Sequence, residues 1–223
     1  MQTRVEIADF ENWRAVAEGA ARIMREGEVV ALPTETVYGL GAVAFDPEAV
    51  ARVFEAKDRP SFDPLIVHIA GIRDLGRVAV VPAEVEDIVR QLAKAFWPGP
   101  LTMVLPKHED VPDLVTSGLP TVAVRVSKHE VMRYLTRELG PIAAPSANRF
   151  GRISPTSAGA VLRELDGRIP LVVDGGACSD GLESTIIAVE PGEKRPILRL
   201  LRPGPVTREE LQKFGKVPKA GRV

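Results

Sequence analysis

Lys57 and Arg59 stand one residue apart in Lys57-Asp58-Arg59-Pro60, at the point where a helix has to stop. Proline confines the residue before it to extended backbone, so Arg59 cannot remain helical. Two cations therefore project from a helix C-terminus, where they either complement the helix dipole or hold a phosphate. Arginine offers such an anion a bidentate fork and lysine a point charge. A second cluster, AAPSANRFGRISPTSAG at 143–159, carries Ser146, Asn148, Ser154 and Ser157 on a loop that leaves an apolar strand end. Loops of this composition are ordinary connections, and they are also where nucleotides are held. Ser154-Pro155-Thr156 reads as a helix start whose free N–H groups favour an anion.

A third cluster, PTETVYGLGAVAFDP at 33–47, sets the hydroxyls of Thr34 and Thr36 beside Gly39 and Gly41. Its Gly39-x-Gly41-x-x-Ala44 spacing matches a dinucleotide fingerprint only in letters, because no helix opens on the glycines. The plainer reading is a strand that bends there or admits a close neighbour. GLESTI at 181–186 is a weaker cluster, equally readable as a turn entering a strand. His68 and Arg125 each interrupt an apolar run. Buried polar groups normally find partners, so each reads first as a satisfied partial-core residue; two of them also fit a shared ligand. No phosphate-loop motif and no nucleophile elbow occurs. The residues alone specify an anion-binding α/β domain.

The elements that must position these groups are legible from periodicity and punctuation. Residues 10–26 read as an amphipathic helix capped by Asp9 and closed by Gly27, and 47–57 as a second helix with Asp46 as N-cap. Further helices are expected near 82–95, 129–139 and 156–165. Strands are expected at 29–33, 65–69, 101–105, 121–126, 171–173, 185–189 and 196–201, the fourth with one polar face around Arg125. Helices and strands alternate with several hairpin-like pairs, which favours a sheet of mixed direction. One domain is expected over 10–206, followed by a short helix and tail at 207–223 with little to bury.

Bulk composition narrows the class. A chain of 223 residues with 45% hydrophobic content suits one sizeable domain, and no window approaches a membrane span. The single Cys178 excludes an intramolecular disulfide and fits a reducing cytoplasm, and the N-terminus carries no secretory h-region. The three histidines are not spaced as metal ligands, so no protein-built metal site is expected. A net charge of −1 gives no global argument for nucleic acid.

Taken together, PTETVYGLG (33–41), Lys57-Asp58-Arg59, PLIVHI (64–69), WPGPLT (97–102), VAVRV (122–126), APSAN with Ser146 and Asn148, SPT (154–156), LESTI and RPG (202–204) resemble the YrdC/TsaC family of threonylcarbamoyl-adenylate synthases. Their shared order over about residues 15 to 206 is far more specific than any one segment. The resemblance implies a twisted mixed α/β sheet with flanking helices around a large, positively lined concave cavity. It implies that Thr36, His68, Arg125 and Ser184 hold L-threonine, assisted by the backbone at Ala144. Lys57, Arg59, Ser146, Asn148, Ser154 and Arg202 match positions around ATP, with Thr121 and Asp63 completing them. Asp63 departs from the asparagine or basic residue expected there. Lys57 and Arg59 would also be the catalytic cations, assisted by Mg2+ that arrives with ATP. The implied product of threonine, bicarbonate and ATP is threonylcarbamoyl-AMP, for handover to a tRNA threonylcarbamoyl transferase. Two other readings use the same cations. One is a YrdC-like RNA-binding module, and the other a carbamoyl-transfer domain that ignores threonine.

Overall fold

The alternation in TVAVRV becomes a strand whose Thr121, Ala123 and Arg125 turn to a cavity while Val122 and Val124 are fully buried in the core. The same division recurs along the sheet and decides where ligand-facing groups sit. The structure is a computed structural model that describes residues 2–218. In chain order its strands are β1 (Arg4–Ile7), β2 (Val30–Leu32), β3 (Gly39–Val43), β4 (Ile66–His68) and β5 (Leu101–Pro106). The remainder are β6 (Thr121–Arg125), β7 (Ile142–Ala143), β8 (Leu171–Asp174), β9 (Thr185–Glu190) and β10 (Ile197–Arg202). The helices are α1 (Trp13–Arg25), α2 (Pro47–Lys57), α3 (Glu86–Phe96), α4 (Asp113–Thr116), α5 (Glu130–Leu139), α6 (Ala158–Leu165) and α7 (Arg208–Gln212).

All ten strands join one sheet in the order β1-β8-β2-β3-β7-β4-β6-β5-β9-β10. The pairs β1/β8, β8/β2, β4/β6 and β5/β9 are parallel and the others antiparallel, so the sheet is mixed. Apolar side chains fill two cores. One, built from α1, α5 and the inner residues of β2 and β8, centres on Ala17, Ala20, Leu135 and Leu171. The larger core lies under α2, α3 and α6 and reaches Leu198 and Leu211.

Local chemistry explains the elements nearest the cavity. Asp46 caps α2 by accepting from the backbone N–H of Glu48 (3.0 Å) and Ala49 (3.1 Å), with Pro47 at the first helical position. α2 ends at Asp58, whose left-handed φ of 51° turns Arg59 off the axis. Gly41 is required by proximity rather than by a turn. A Cβ there would lie 2.8 Å from Leu32 Cδ1 and 3.2 Å from Ile142 Cγ2. The glycine pair therefore belongs to a central strand squeezed between neighbours, and the dinucleotide reading fails. Gly204 is more tightly constrained, since a Cβ would meet backbone atoms, Glu183 O and Thr185 N, at 2.5 Å each.

Several expectations shift. α1 begins at Trp13 because the Asp9 carboxylate accepts from the N–H of Glu11 and Asn12, forming a turn ahead of the helix instead of a cap on it. The helix expected at 156–165 opens later, with Ser157 as N-cap accepting from Ala160 N–H, so Ser154 lies on a loop and, among the described residues, no helix N-terminus lines the cavity. β1 lies before the expected domain start; as an exposed sheet edge it lacks the apolar run that marks a buried strand. The C-terminal segment also buries more than expected, because Leu211 and Val217 enter the core and Lys216 bridges to Ile197. The rest of the expected tail, 219–223, lies outside the described residues.

Candidate active site

A cavity of about 520 Å³ opens on the face of the sheet formed by β4, β6, β5 and β9, and gathers groups from every cluster singled out in the sequence. Thr36, Lys57, Arg59, Asp63, His68, Thr121, Arg125, Ala144, Ser146, Asn148, Ser154, Ser184 and Arg202 all line it. β4 supplies Ile66 and His68 on alternate positions, and its parallel register with β6 sets His68 beside Arg125.

Arg125 forms the deep end. Its Nε donates to the carbonyl of Gly99 (3.2 Å), its Nη1 to Thr36 Oγ1 (2.7 Å), and its Nη2 pairs with Glu35 Oε1 at 2.7 Å. The two charged side chains are only 4% and 6% exposed. The other oxygen of Glu35 accepts from Ser127 Oγ (2.6 Å) and the N–H of Lys128 (3.0 Å). Burial alone would raise the Glu35 carboxyl, but the Arg125 charge and the hydrogen bonds from Ser127 and Arg125 hold it below its usual range. Burial, with Arg125 adding, pushes His68 down to about 3, so its imidazole is neutral. His68 Nδ1 is buried without a hydrogen-bond partner. Ser184 Oγ lies 2.7 Å from Thr102 Oγ1, and both residues are buried.

The outer part is held differently. The Lys57 amine donates to the carbonyls of Ser146 and Asn148, which clamps the 146–148 loop onto the end of α2. Lys57 is 1% exposed, and burial, reinforced by the charge of Arg59, pushes it down to about 7. It therefore braces the loop as well as facing the cavity, more than the sequence implied. Asn148 donates through Nδ2 to the carbonyls of Arg149 and Arg152, while its Oδ1 is buried and unpartnered. Arg59 binds the carbonyls of Asp63 and Pro64 and pairs with the Asp63 carboxylate at 2.8 Å. The aspartate thus acts first as a counter-ion to Arg59. Arg202 donates through Nε to Ser184 O and through Nη2 to Ser184 Oγ, each at 3.0 Å, and through Nη1 to Glu183. Glu183 Oε1 accepts from Ser154 Oγ at 2.5 Å. Among the described residues no group of three or more His, Cys, Asp or Glu is arranged to hold a metal.

The sequence reading missed Glu35 and Glu183. Glu35 carried a signal, since it is the only charge between Val29 and Phe45 and such an isolated acid needs a buried partner. Glu183 carried none beyond its place in LESTI.

A mixed-sheet α/β protein with Lys57, Arg59, Arg125, Arg152 and Arg202 and several unspent polar atoms around one cavity is built to receive a small polyanionic ligand. The chain belongs to the Sua5_yciO_yrdC family, described as "Telomere recombination", whose signature matches residues 22–204. It is 51% identical over 205 residues to a threonylcarbamoyl-AMP synthase of Pyrococcus abyssi, covering 92% of this chain and 58% of that protein. A Bacillus subtilis threonylcarbamoyl-AMP synthase is 48% identical over 195 residues, covering 86% of this chain and 54% of that protein. The crystal structure of P. abyssi Sua5 complexed with L-threonine superposes with a TM-score of 0.85 at 46% identity, covering 98% of this chain and 63% of that one. The chain thus spans little more than half the length of the curated relatives it matches.

Proposed function

We propose that the chain is an L-threonylcarbamoyladenylate synthase domain, converting L-threonine, bicarbonate and ATP into threonylcarbamoyl-AMP, pyrophosphate and water. The observation that carries this reading is the junction, in one cavity, of a deep Arg125–Thr36–His68–Ser184 end with an outer Lys57–Arg59–Arg202 end. The names of the relatives and the threonine complex of P. abyssi Sua5 support it.

In this reading Arg125 pairs with the threonine carboxylate through the N–H groups that Thr36, Glu35 and Gly99 leave free. The substrate hydroxyl meets Thr36 or Ser184, and His68 and the Ala144 backbone complete the pocket. The neutral amine of threonine takes up carbon dioxide from bicarbonate with loss of water. The resulting carbamate oxygen attacks the α-phosphorus of ATP; the bond to the bridging oxygen breaks, and pyrophosphate leaves with its electron pair. Attacking and leaving groups are both anionic, so cations fixed in advance lower the barrier most. Lys57, Arg59 and Arg202 supply that charge, with Mg2+ entering as part of the MgATP substrate. Ser146, Asn148, Ser154, Thr121 and Asp63 position the nucleotide. Alignment of carbamate and phosphorus is itself worth several kcal/mol. No dedicated general base is assigned. The product serves the threonylcarbamoyladenosine modification of tRNA in the cytoplasm, where a transferase partner receives it.

The test is pyrophosphate release by the purified chain with MgATP and bicarbonate. Release should require L-threonine and fail with valine, because a site that bonds a hydroxyl rejects the analogue lacking it. Absence of both threonine-dependent release and threonine-dependent tightening of ATP binding would overturn the reading. Steeply salt-sensitive RNA binding in their place would favour the RNA-binding alternative.

A further inference from the structure

Three arginines in the cavity carry a carboxylate of the chain's own, and the three pairs differ in what else holds the acid. Glu35 is locked by Ser127 and the Lys128 N–H in addition to Arg125. Asp63 sits one helical turn from Arg59 in sequence and pairs with it alone, its side chain 37% exposed. Glu183 has two hydrogen-bonding partners, Ser154 and Arg202, and both are residues assigned above to the nucleotide. Its side chain is 33% exposed and lines the cavity. Its two oxygens thus occupy the donors that a bound phosphate group would need.

We propose that Glu183 is a built-in stand-in anion, which satisfies Ser154 and Arg202 in the unliganded cavity and is displaced by the anionic part of the nucleotide. This rests on the nucleotide assignment made above. The chemistry is competition for the same hydrogen bonds. A carboxylate bridging a hydroxyl and a guanidinium presents the same charge and acceptor geometry as two phosphate oxygens. An arginine left bare in a half-buried cavity would attract any inorganic anion. A tethered carboxylate makes occupation selective for ligands with enough other contacts to expel it, which gives specificity by an internal competitor. The backbone supports this arrangement. Gly204 lets the 202–204 segment lie directly against Glu183–Thr185, so the carboxylate and its arginine are held together while the side-chain contact itself stays exchangeable.

The experiment titrates wild-type chain, Glu183→Gln, Glu183→Ala and Glu164→Gln with inorganic pyrophosphate, MgATP and L-threonine. Glu164 pairs with Arg149 and controls for a general change in charge near the cavity. Displacement predicts that both Glu183 variants bind pyrophosphate about fivefold or more tighter than wild type, with Glu164→Gln changed less than about twofold. The gain should be smaller for MgATP, whose additional contacts already outcompete the acid, and absent for threonine. Weaker or unchanged pyrophosphate binding in folded Glu183 variants would make the acid a structural brace and end the proposal. An equal gain in Glu164→Gln would reduce it to bulk electrostatics. If no form binds pyrophosphate or MgATP, the nucleotide assignment itself fails and takes this inference with it.

Discussion

Arg125 and Arg202 line the same cavity, yet their carboxylate partners are held in opposite ways. At the deep end Glu35 accepts two hydrogen bonds besides its ion pair with Arg125 and has almost no exposure, so that pair is a fixed part of the fold. At the outer end Glu183 is held by groups that also face the cavity. A buried ion pair whose acid is also anchored by two hydrogen bonds acts as a rigid template, whereas a partly exposed pair is weak and can be exchanged. The first arrangement suits a fixed template, and the second a cation that must be freed each time an anionic group binds.

The contrast can be broken most severely at Glu35. Glu35→Ala leaves Arg125 buried without its counter-ion, and about 3–5 kcal/mol of stability should be lost, read by urea unfolding. A loss comparable to that of a surface pair would show that the deep end is as exchangeable as the outer one. Next in size is Arg59→Ala. In the proposed reaction it should cut pyrophosphate release about 10²- to 10³-fold while the fold is retained, far more than the loss of its contacts to Asp63 and Pro64 would explain. Near-wild-type turnover would remove Arg59 from the site.

Lys57 sharpens the comparison through pH. Its proton is released near 7 in the folded chain, against an ordinary value of 10.5, chiefly because burial disfavours the charge. Between those values the unfolded chain holds more protons, so this group makes stability rise with pH across that window. A bound polyphosphate should restore the proton, giving uptake of roughly half a proton or more on MgATP binding at pH 7.5. Titration calorimetry in buffers of different ionisation enthalpy measures it, and threonine binding should show no such uptake. The smallest effect belongs to Asp63→Asn, about 0–1 kcal/mol in stability, because its pair with Arg59 is partly solvated. A larger cost in urea unfolding would put Asp63 in the same class as Glu35.

How far the sequence reaches follows the same division. α2 was readable in full because Asp46, Pro47 and the Arg59-Pro60 step are local signals with local causes. β6 was readable because one face had to alternate. β3 was read as a strand that bends or admits a close neighbour but was given no bounds, since the reason for its glycines lies in Leu32 and Ile142 across the sheet. Among the site residues, the cations announced themselves by type and spacing. The pairings of Glu35 and Glu183 did not, because their arginines lie 90 and 19 positions away in sequence, beyond the reach of any local pattern. The expected helix start at Ser154 failed for the mirror reason: local letters suggested a cap, while the serine was drawn instead to Glu183, 29 positions on.

Gly204 has a mechanical consequence. By admitting backbone against backbone it welds the segment bearing Arg202 to the segment bearing Ser184, so the two cannot shift separately. One serves each substrate in the proposed reaction. Whatever threonine does to the posture of Ser184 is transmitted to the nucleotide's arginine, and by thermodynamic reciprocity the reverse holds by the same factor. A methyl group at position 204 would pry the weld apart, leaving two half-sites that fill without regard to each other.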